Sequence, residues 1–298
     1  MNVAETMTYR GKLLIDEPMA KHTSWRVGGT ADRYYTPADL ADLQSYLAGL
    51  VQDTPITWVG LGSNMLVRDG GIRGEVIAAL NGLKDIQLRK DGAVYAESGV
   101  TCGKLARFCQ KQGLAGADFL AGIPGTVGGA LTMNAGAFGS ETWNHVERLT
   151  MINRRGELIN RMASEFTVAY RKVSQFPDEW FAAGYFRFKA KTAGQDSNIK
   201  QLLKKRNDSQ PIGLPSCGSV FKNPTGHHAA KLIENAGLKG YRLGDARVSE
   251  KHANFIISNE NSRAADIEAL IGLIQKTVKQ QFDVDLETEV RILGEERR

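Results

Sequence analysis

The chain has 298 residues, 42% of them hydrophobic, which is enough for about two domains with their own cores. Its 38 basic and 33 acidic residues give a net charge of +5, but the basic residues are dispersed, which disfavours nucleic-acid binding. Anionic small molecules explain the mild positive balance equally well. No run approaches the ~20 apolar residues of a membrane span, and the N-terminus has no apolar signal segment, so we expect a cytoplasmic protein without a membrane partner.

The cysteines and histidines do not predict a metal or disulfide site. Cys102, Cys109 and Cys217 are spaced by 7 and 108 residues, which fits neither a disulfide framework nor C-x-x-C metal chemistry. His227 and His228 are adjacent, a poor geometry for sharing one ion. We therefore expect reduced thiols and no metal.

In chain order, the first predicted elements are a helix and a strand. The helix begins at Pro37 as its first residue and has leucines at 40, 43 and 47. The strand ITWV runs straight into the glycines of GLGSN.

The middle of the chain is predicted to be mostly β, with hairpin turns at Lys90 to Gly92 and Arg154 to Gly156. One helix, GKLARFCQKQG, interrupts it and ends at Gly113.

Beyond Arg206 the pattern changes to helix and strand units. A short helix with a solvated face covers Lys200 to Asp208, HHAAKLIENAG ends at Gly237, and HANFIISNE is a strand. The next helix has Asn261 or Ser262 as N-cap and one apolar face, at 267, 270, 271, 274 and 278, and LETEVRILG holds a final strand. With a boundary near RNDSQPIGLPS, we expect segments 1–82, 83–204 and 205–298.

Two glycine loops stand out. FLAGIPGTVGGALTMNAGAFG, from Phe119 to Gly139, has six glycines in 21 residues and no charged side chain. That composition suits neither a core strand nor a flexible linker, so we interpret it as a tightly folded loop whose backbone N–H groups approach a phosphate. VGLGSNMLV, from Val59 to Val67, offers further N–H groups, but it lacks the G-x-x-G tail and following helix of a Rossmann motif.

These loops resemble a known flavoprotein fold. GLGSN, AGIPGTVGGA and MNAGAFG, in this order, look like the FAD-binding elements of the vanillyl-alcohol oxidase and p-cresol methylhydroxylase fold. TSWRVGG, AYRKVS, PSCGSVFKNP and LETEVRILG further resemble the UDP-N-acetylenolpyruvoylglucosamine reductase family, over roughly Thr23 to Gly294. The implied fold class is α+β, with FAD-binding subdomains at 1–82 and 83–204 and a C-terminal α+β substrate domain at 205–298 whose last strand returns to the active site.

The resemblance implies an NADPH-dependent FAD enzyme that reduces the enolpyruvyl ether of UDP-N-acetylglucosamine to UDP-N-acetylmuramate in peptidoglycan precursor synthesis. Ser219 matches the family's proton donor, and Arg171 and Glu289 match the residues that attend the substrate carboxylate and the enolate. Glu289, beside a negative intermediate, is expected to have a raised pKa. Tyr170, Lys222 and Asn223 are candidates for substrate binding.

From the residues alone, the catalytic candidates have plainer interpretations. Ser219 suits a turn hydrogen bond, Arg171 a surface ion pair and Glu289 an exposed strand position.

The cofactor is expected to be non-covalent, because neither glycine loop contains a histidine or cysteine. The expected cofactor-binding residues lie in the two loops, with one arginine outside them: Val59, Gly60, Leu61, Gly62, Ser63, Asn64, Met65, Leu66, Ala121, Gly122, Ile123, Pro124, Gly125, Thr126, Gly128, Gly129, Asn134, Ala135, Gly136, Phe138 and Arg206.

Two alternatives stay open at the level of sequence. One is another non-covalent FAD oxidoreductase of the same fold, acting on an alcohol or hydroxy acid, and the other is a nucleotide-binding module without activity. Within the resembled family, the short segment after Arg171 indicates the type without an extra tyrosine-bearing loop.

Overall fold

A computed structural model describes residues 9–192 and 197–297. The chain separates into two compact units. Unit 1 contains Met1–Leu14, Arg33–Gly60 and Gly74–Leu202, and unit 2 contains Ile15–Asp32, Leu61–Arg73 and Leu203–Arg298. The division into 1–82, 83–204 and 205–298 stays a prediction. Across the described ranges, no helix combines the length and apolarity that crossing a membrane needs.

The described residues form six α-helices: α1 Leu40–Ala48, α2 Cys102–Lys111, α3 Val127–Met133, α4 Ile199–Ser209, α5 Ala229–Asn235 and α6 Ala264–Phe282. Short 3-10 helices cover Met19–His22, Asp118–Gly122, Thr142–His145 and Ala163–Glu165. The strands are β1 Lys12–Pro18, β2 Thr30–Thr36, β3 Ile56–Val59, β4 Met65–Val67, β5 Ile72–Ala78, β6 Ile86–Leu88, β7 Val94–Glu97, β8 Leu114–Ala115, β9 Gly136–Ala137, β10 Ser140–Glu141, β11 Val146–Asn153, β12 Leu158–Met162, β13 Val168–Ala169, β14 Lys172–Val173, β15 Glu179–Phe186, β16 Lys189–Ala190, β17 Arg242–Leu243, β18 Ala246–Val248, β19 Ile256–Ile257 and β20 Arg291–Leu293.

A five-stranded antiparallel sheet of order β12-β11-β15-β7-β6 is the centre of unit 1. It contains both predicted hairpins, β6 with β7 and β11 with β12. Its core includes Leu149, Phe181 and Phe186, and α3 packs against β15. A four-stranded sheet of order β1-β2-β5-β3 pairs β3 with β5 in parallel, Val59 opposite Ala78.

Helix α1 begins at Leu40, so the prediction of Pro37 as its first residue is wrong. Asp39 is the N-cap, and its carboxylate accepts a hydrogen bond from Asp42 N at 2.9 Å. An aspartate cap satisfies a free N–H of the first turn, which a proline at the first position does not.

A buried polar cluster lies beside α1 in unit 1. The Tyr46 hydroxyl donates to Glu75 Oε2 at 2.7 Å, and the Arg33 guanidinium binds the other carboxylate oxygen. Glu75 is only 2% exposed, so these donors take the place of water around its carboxylate.

Unit 2 is built around α6. The predicted apolar face is confirmed, since Ile267, Leu270, Ile271, Ile274 and Val278 are all buried in one core. Small sheets border it: β17-β18-β19 is antiparallel, and β20 pairs with β4 in parallel, Ile292 opposite Leu66.

The cap of α6 corrects the prediction of Asn261 or Ser262. Arg263 is the N-cap, and its N–H donates to Asp266 Oδ2 at 3.0 Å. Asp69, distant in sequence, accepts from Ala264 N and Ala265 N, both at 3.0 Å. Because Asp69 supplies these acceptors, the helix needs no cap from the serine or asparagine before it.

Candidate active site

The first glycine loop begins where β3 ends, as predicted. In unit 1, a Cβ added to Gly60 would lie closer than 3.0 Å to Thr126 Oγ1 and 3.4 Å from Thr126 Cγ2. The backbone at Gly60 therefore packs directly on Thr126, and an alanine would not fit without movement. The rest of the loop, Leu61 to Leu66, belongs to unit 2, where Gly62 has φ +69° and packs on the carbonyl of His22.

The second glycine strip is not one loop, and in this respect the prediction is wrong. It contains the 3-10 helix Asp118–Gly122 and helix α3, so the middle of the chain has two α-helices where one was expected. Thr126 is the N-cap of α3 and its hydroxyl accepts from Gly129 N at 3.4 Å. Gly128 and Gly129 had suggested a loop, but the cap and the packing of α3 on β15 outweigh their low helix propensity.

Part of the strip is an exposed surface without charged side chains. Pro124, Gly129 and Phe138 are exposed, and the nearest atom to a Cβ built on Gly129 would be Thr126 Oγ1 at 3.8 Å. A phosphate can approach such an open glycine backbone closely. Phe138 also lines a cavity of about 390 Å³ in unit 1, together with Phe119 and Lys191.

Asn134 ends α3 in the left-handed conformation, with φ 46°, and is 2% exposed. Its amide donates to Glu141 Oε2 at 2.8 Å and to Ala169 O at 3.3 Å, and its Oδ1 accepts from Trp143 N at 3.1 Å. The Asn134 side chain therefore connects the end of α3 to Glu141, to Trp143 and to β13.

Arg171 lies at the tip of the β13–β14 hairpin with φ +54°. Its Nη1 donates to Asn134 O at 3.3 Å and its Nη2 to Gly136 O at 3.2 Å. Its guanidinium carbon is 5.3 Å from the ring centroid of Tyr170, which is 46% exposed. Unit 1 therefore brings the predicted carboxylate-binding arginine onto the backbone of the second glycine strip.

In unit 2, the Ser219 loop and the Glu289 segment are hydrogen-bonded to each other. Val220 O accepts from Glu289 N at 2.8 Å, and Phe221 forms a β-bridge with Thr288. Asn64, from the first glycine loop, donates its amide to Glu289 O at 3.0 Å. Ser219 and Glu289 are both half-buried, so the two segments predicted to carry proton chemistry meet at one place.

A cavity of about 540 Å³ opens beside Ser219 in unit 2. Its lining includes Asn223, Lys231, His252 and Asn254. Burial lowers the pKa of His252, which favours the neutral imidazole, and His252 Nδ1 accepts from Asn254 N at 3.3 Å. The sequence analysis did not identify His252 and Asn254 as site residues. Their one local signal was a position at the start of the predicted strand HANFIISNE. Within that stretch, Ile256–Ile257 forms β19.

Three other predicted residues of unit 2 have partners within the protein. Lys222 pairs with Glu287 at the surface, and Asn223 Oδ1 accepts from Ala229 N at 3.0 Å, at the start of α5. Arg206 Nε donates to Gln210 Oε1 at 3.0 Å, and burial lowers the pKa of its guanidinium.

All three cysteines are free and buried, which confirms the prediction of reduced thiols. Burial raises the pKa of each thiol to about 12. Cys217 Sγ lies 3.4 Å from Met65 O, so this thiol packs the Ser219 loop against the first glycine loop. In the part of the chain that the structure describes, no group of three or more His, Cys, Asp or Glu side chains is arranged to hold a metal ion.

Comparisons with known proteins agree on one family. Residues 210–293 match the model of the C-terminal domain of UDP-N-acetylenolpyruvoylglucosamine reductase, and residues 31–161 match an FAD binding domain. The reductase of Coxiella burnetii is 53% identical and that of Alkalilimnicola ehrlichii 53%, with alignments covering 96% and 99% of both chains. The crystal structure of the reductase from Thermus caldophilus superposes with a TM-score of 0.79 at 28% identity, over 95% of this chain and 98% of that one. The predicted α+β fold class, an FAD-binding part followed by a C-terminal domain, is confirmed.

Proposed function

The chain belongs to the UDP-N-acetylenolpyruvoylglucosamine reductase family, and on that premise we propose that Ser219, Arg171 and Glu289 carry its chemistry. It is an FAD-containing oxidoreductase that uses NADPH and reduces the enolpyruvyl ether of UDP-N-acetylglucosamine to UDP-N-acetylmuramate in peptidoglycan precursor synthesis.

The reduction requires a hydride and a proton on the two carbons of the double bond. FAD, when bound, supplies the hydride that it has received from NADPH. Addition at the terminal carbon leaves negative charge on the carbon beside the carboxylate, so the protein must supply a proton there and stabilise the charge. We assign the proton to the Ser219 hydroxyl.

The observation that carries this assignment is the hydrogen bond between Glu289 N and Val220 O, at 2.8 Å. It fixes the backbone of Glu289 to the residue that follows Ser219, beside a cavity that Ser219 lines. A serine hydroxyl is a weak acid, so proton transfer from it needs a polar neighbour, and Glu289 is the carboxylate residue whose backbone bonds to the residue next to Ser219. We propose that Glu289 contacts the enolate.

Arg171 is proposed to bind the substrate carboxylate. A guanidinium stays charged and binds a carboxylate through two parallel N–H groups. Its two hydrogen bonds to backbone carbonyls, of 3.2 and 3.3 Å, hold the side chain against the glycine strip, which supports a fixed orientation.

The cofactor and substrate contacts predicted for the other loop residues, and for Tyr170, Lys222 and Asn223, are part of the same proposal. So is a cytoplasmic location, where NADPH and nucleotide sugars are available. A non-covalent FAD is also proposed, and heating the protein should release all yellow colour into the supernatant.

The test separates the two half-reactions by anaerobic stopped-flow absorbance. In Ser219→Ala, NADPH should bleach the flavin at close to the parental rate, because that step needs no proton from serine. Reoxidation by the enolpyruvyl substrate should slow by roughly 10² to 10⁴, the usual effect of losing a positioned acid. Arg171→Ala should slow the same step and also weaken substrate binding.

Ser216→Ala is the matched control, since it removes a hydroxyl from the same loop three residues upstream. Both of its half-reactions should match the parent. Intact reoxidation in Ser219→Ala, with slower flavin reduction, would reject the role of Ser219.

A further inference from the structure

Asn254 makes a paired contact with the loop that carries Ser219. Its Oδ1 accepts from Phe221 N at 2.9 Å, and its Nδ2 donates to Phe221 O at 2.8 Å. The Asn254 carbonyl also accepts from Val220 N at 2.9 Å. Since Asn254 is 4% exposed, these bonds are shielded from water and fix both residues after Ser219.

The residue directly before Ser219 is a glycine, which has no side chain to fix the backbone, whereas the buried Cys217 before it packs in the core. Gly218 has φ +68°, and a Cβ built on it would meet nothing within 4 Å. A glycine with that freedom lets the backbone turn at little cost. Between the packed Cys217 and Ser219 there is thus only this glycine, and the hydrogen bonds that hold the residues next to Ser219 lie on its C-terminal side, where Asn254 bonds.

The same two residues connect Ser219 to Glu289. Val220 accepts from Glu289 N through its carbonyl and donates to Asn254 O through its N–H. The peptide groups of Val220 thus lie between Asn254 and Glu289. A shift of this backbone would change the distance between the Ser219 hydroxyl and the Glu289 segment.

Asn254 is itself fixed. Its N–H donates to His252 Nδ1 at 3.3 Å, and the His252 ring packs edge-on against Phe255 with centroids 4.8 Å apart. Asn254 and His252 line the cavity that Ser219 lines. A buried, bonded amide at the wall of that cavity is suited to orienting a neighbour rather than to reacting.

We propose that Asn254 is a positioning residue for proton transfer: it acts through the Val220–Phe221 backbone to hold the Ser219 hydroxyl in place. The inference rests on the proposed role of Ser219. It requires that loss of the Asn254 amide slows only the step that uses the Ser219 proton.

The test is a double-mutant cycle on the holoenzyme, with both half-reactions measured by stopped flow. Asn254→Ala should leave flavin reduction by NADPH within about 2-fold and slow reoxidation by roughly 10- to 100-fold, the scale of a displaced reacting group. Ser219→Ala/Asn254→Ala should be no slower than Ser219→Ala, because Asn254 then has no hydroxyl to position.

Asn254→Asp supplies a second variant of the same shape. Its carboxylate still accepts from Phe221 N but faces Phe221 O with a second acceptor, so reoxidation should be slow at neutral pH. Protonation restores a donor, and burial raises the pKa of a carboxyl, so the defect should lessen as the pH falls below about 6. A merely structural role would give a defect, and a recovery at low pH, in both half-reactions, whereas a positioning role confines them to reoxidation.

Asp69→Ala is the control, because it removes two hydrogen bonds to α6 in the same unit. It should lower the Tm and leave the ratio of the two half-reactions unchanged. The positioning role of Asn254 would be rejected if Asn254→Ala slowed both half-reactions equally. It would also be rejected if the reoxidation rate of the double variant fell by the product of the two single-variant factors. Either result would leave the role of Ser219 in place. Normal reoxidation in Ser219→Ala would instead remove the proposed proton donor and this inference with it.

Discussion

Replacing Gly60 by alanine tests how closely the first glycine loop packs on the second strip. The φ of Gly60 is not positive, so the backbone accepts an alanine and the only obstacle is space. The new Cβ would lie closer than 3.0 Å to Thr126 Oγ1, an atom that is buried and caps α3. Either Thr126 or the end of β3 must move.

Overpacking of this kind costs about 1–3 kcal/mol, which corresponds to a fall in Tm on the order of 5 °C. Thr126→Ala removes the clashing atom and costs about 1 kcal/mol through loss of the cap. Gly60→Ala/Thr126→Ala should therefore cost less than the sum of the two single variants, by about 1 kcal/mol or more.

Thermal unfolding of the flavin-free proteins measures the three variants without a contribution from changed FAD affinity. Gly103→Ala is the matched control, since Gly103 lies in α2 and a Cβ there meets nothing within 4 Å. It should raise stability by about 0.5–1 kcal/mol through helix propensity. If the losses of stability in Gly60→Ala and Thr126→Ala simply add in the double variant, contact between the new Cβ and Thr126 Oγ1 is not what destabilises Gly60→Ala.

Two further predictions concern unit 1. Tyr46→Phe removes a hydrogen-bond donor from the buried carboxylate of Glu75 and should lower the free energy of unfolding, measured by chemical denaturation, by about 1–3 kcal/mol. The control Tyr241→Phe, at a residue 42% exposed, should change it by less than about 0.5 kcal/mol. Equal losses in the two variants would show that the bond from Tyr46 to Glu75 does not stabilise the fold. Burial lowers the pKa of His145, so the unfolded chain takes up that proton more readily and stability falls as the pH drops through about 6.5. His145→Gln should therefore reduce the loss of Tm between pH 7.5 and 5.5, and an unchanged loss would contradict this assignment.

Local sequence patterns predicted elements whose causes are local. The buried face of α6 follows from the helical spacing of five apolar residues, and the turn at Lys90 to Gly92 follows from residues that favour turns. The cap of α6 could not be found in this way, because Asp69 is 195 residues before Ala264. Helix α3 was missed for a different reason: its glycines disfavour a helix, and only packing against β15 reveals it.

The candidate site, too, could be predicted from the sequence only where its residues lie in one continuous motif. The motifs around Ser219 and Glu289 are visible in the sequence because each is a continuous run of characteristic residues. Asn254 is not, since its partner Phe221 lies 33 residues away and an asparagine before a strand has many ordinary explanations. Hydrogen bonds between distant segments need the folded backbone to be recognised.

The pairing of β4 with β20 fixes when the first glycine loop can be completed during synthesis. Asn64 and Glu289, which flank this pair, are 225 residues apart, and the later one is near the C-terminus. A growing chain therefore carries its first glycine loop for almost the whole of translation before the strand that supports it exists. A ribosome that stops before Arg291 would release a chain whose unit 2 lacks that strand, however much of unit 1 had already folded.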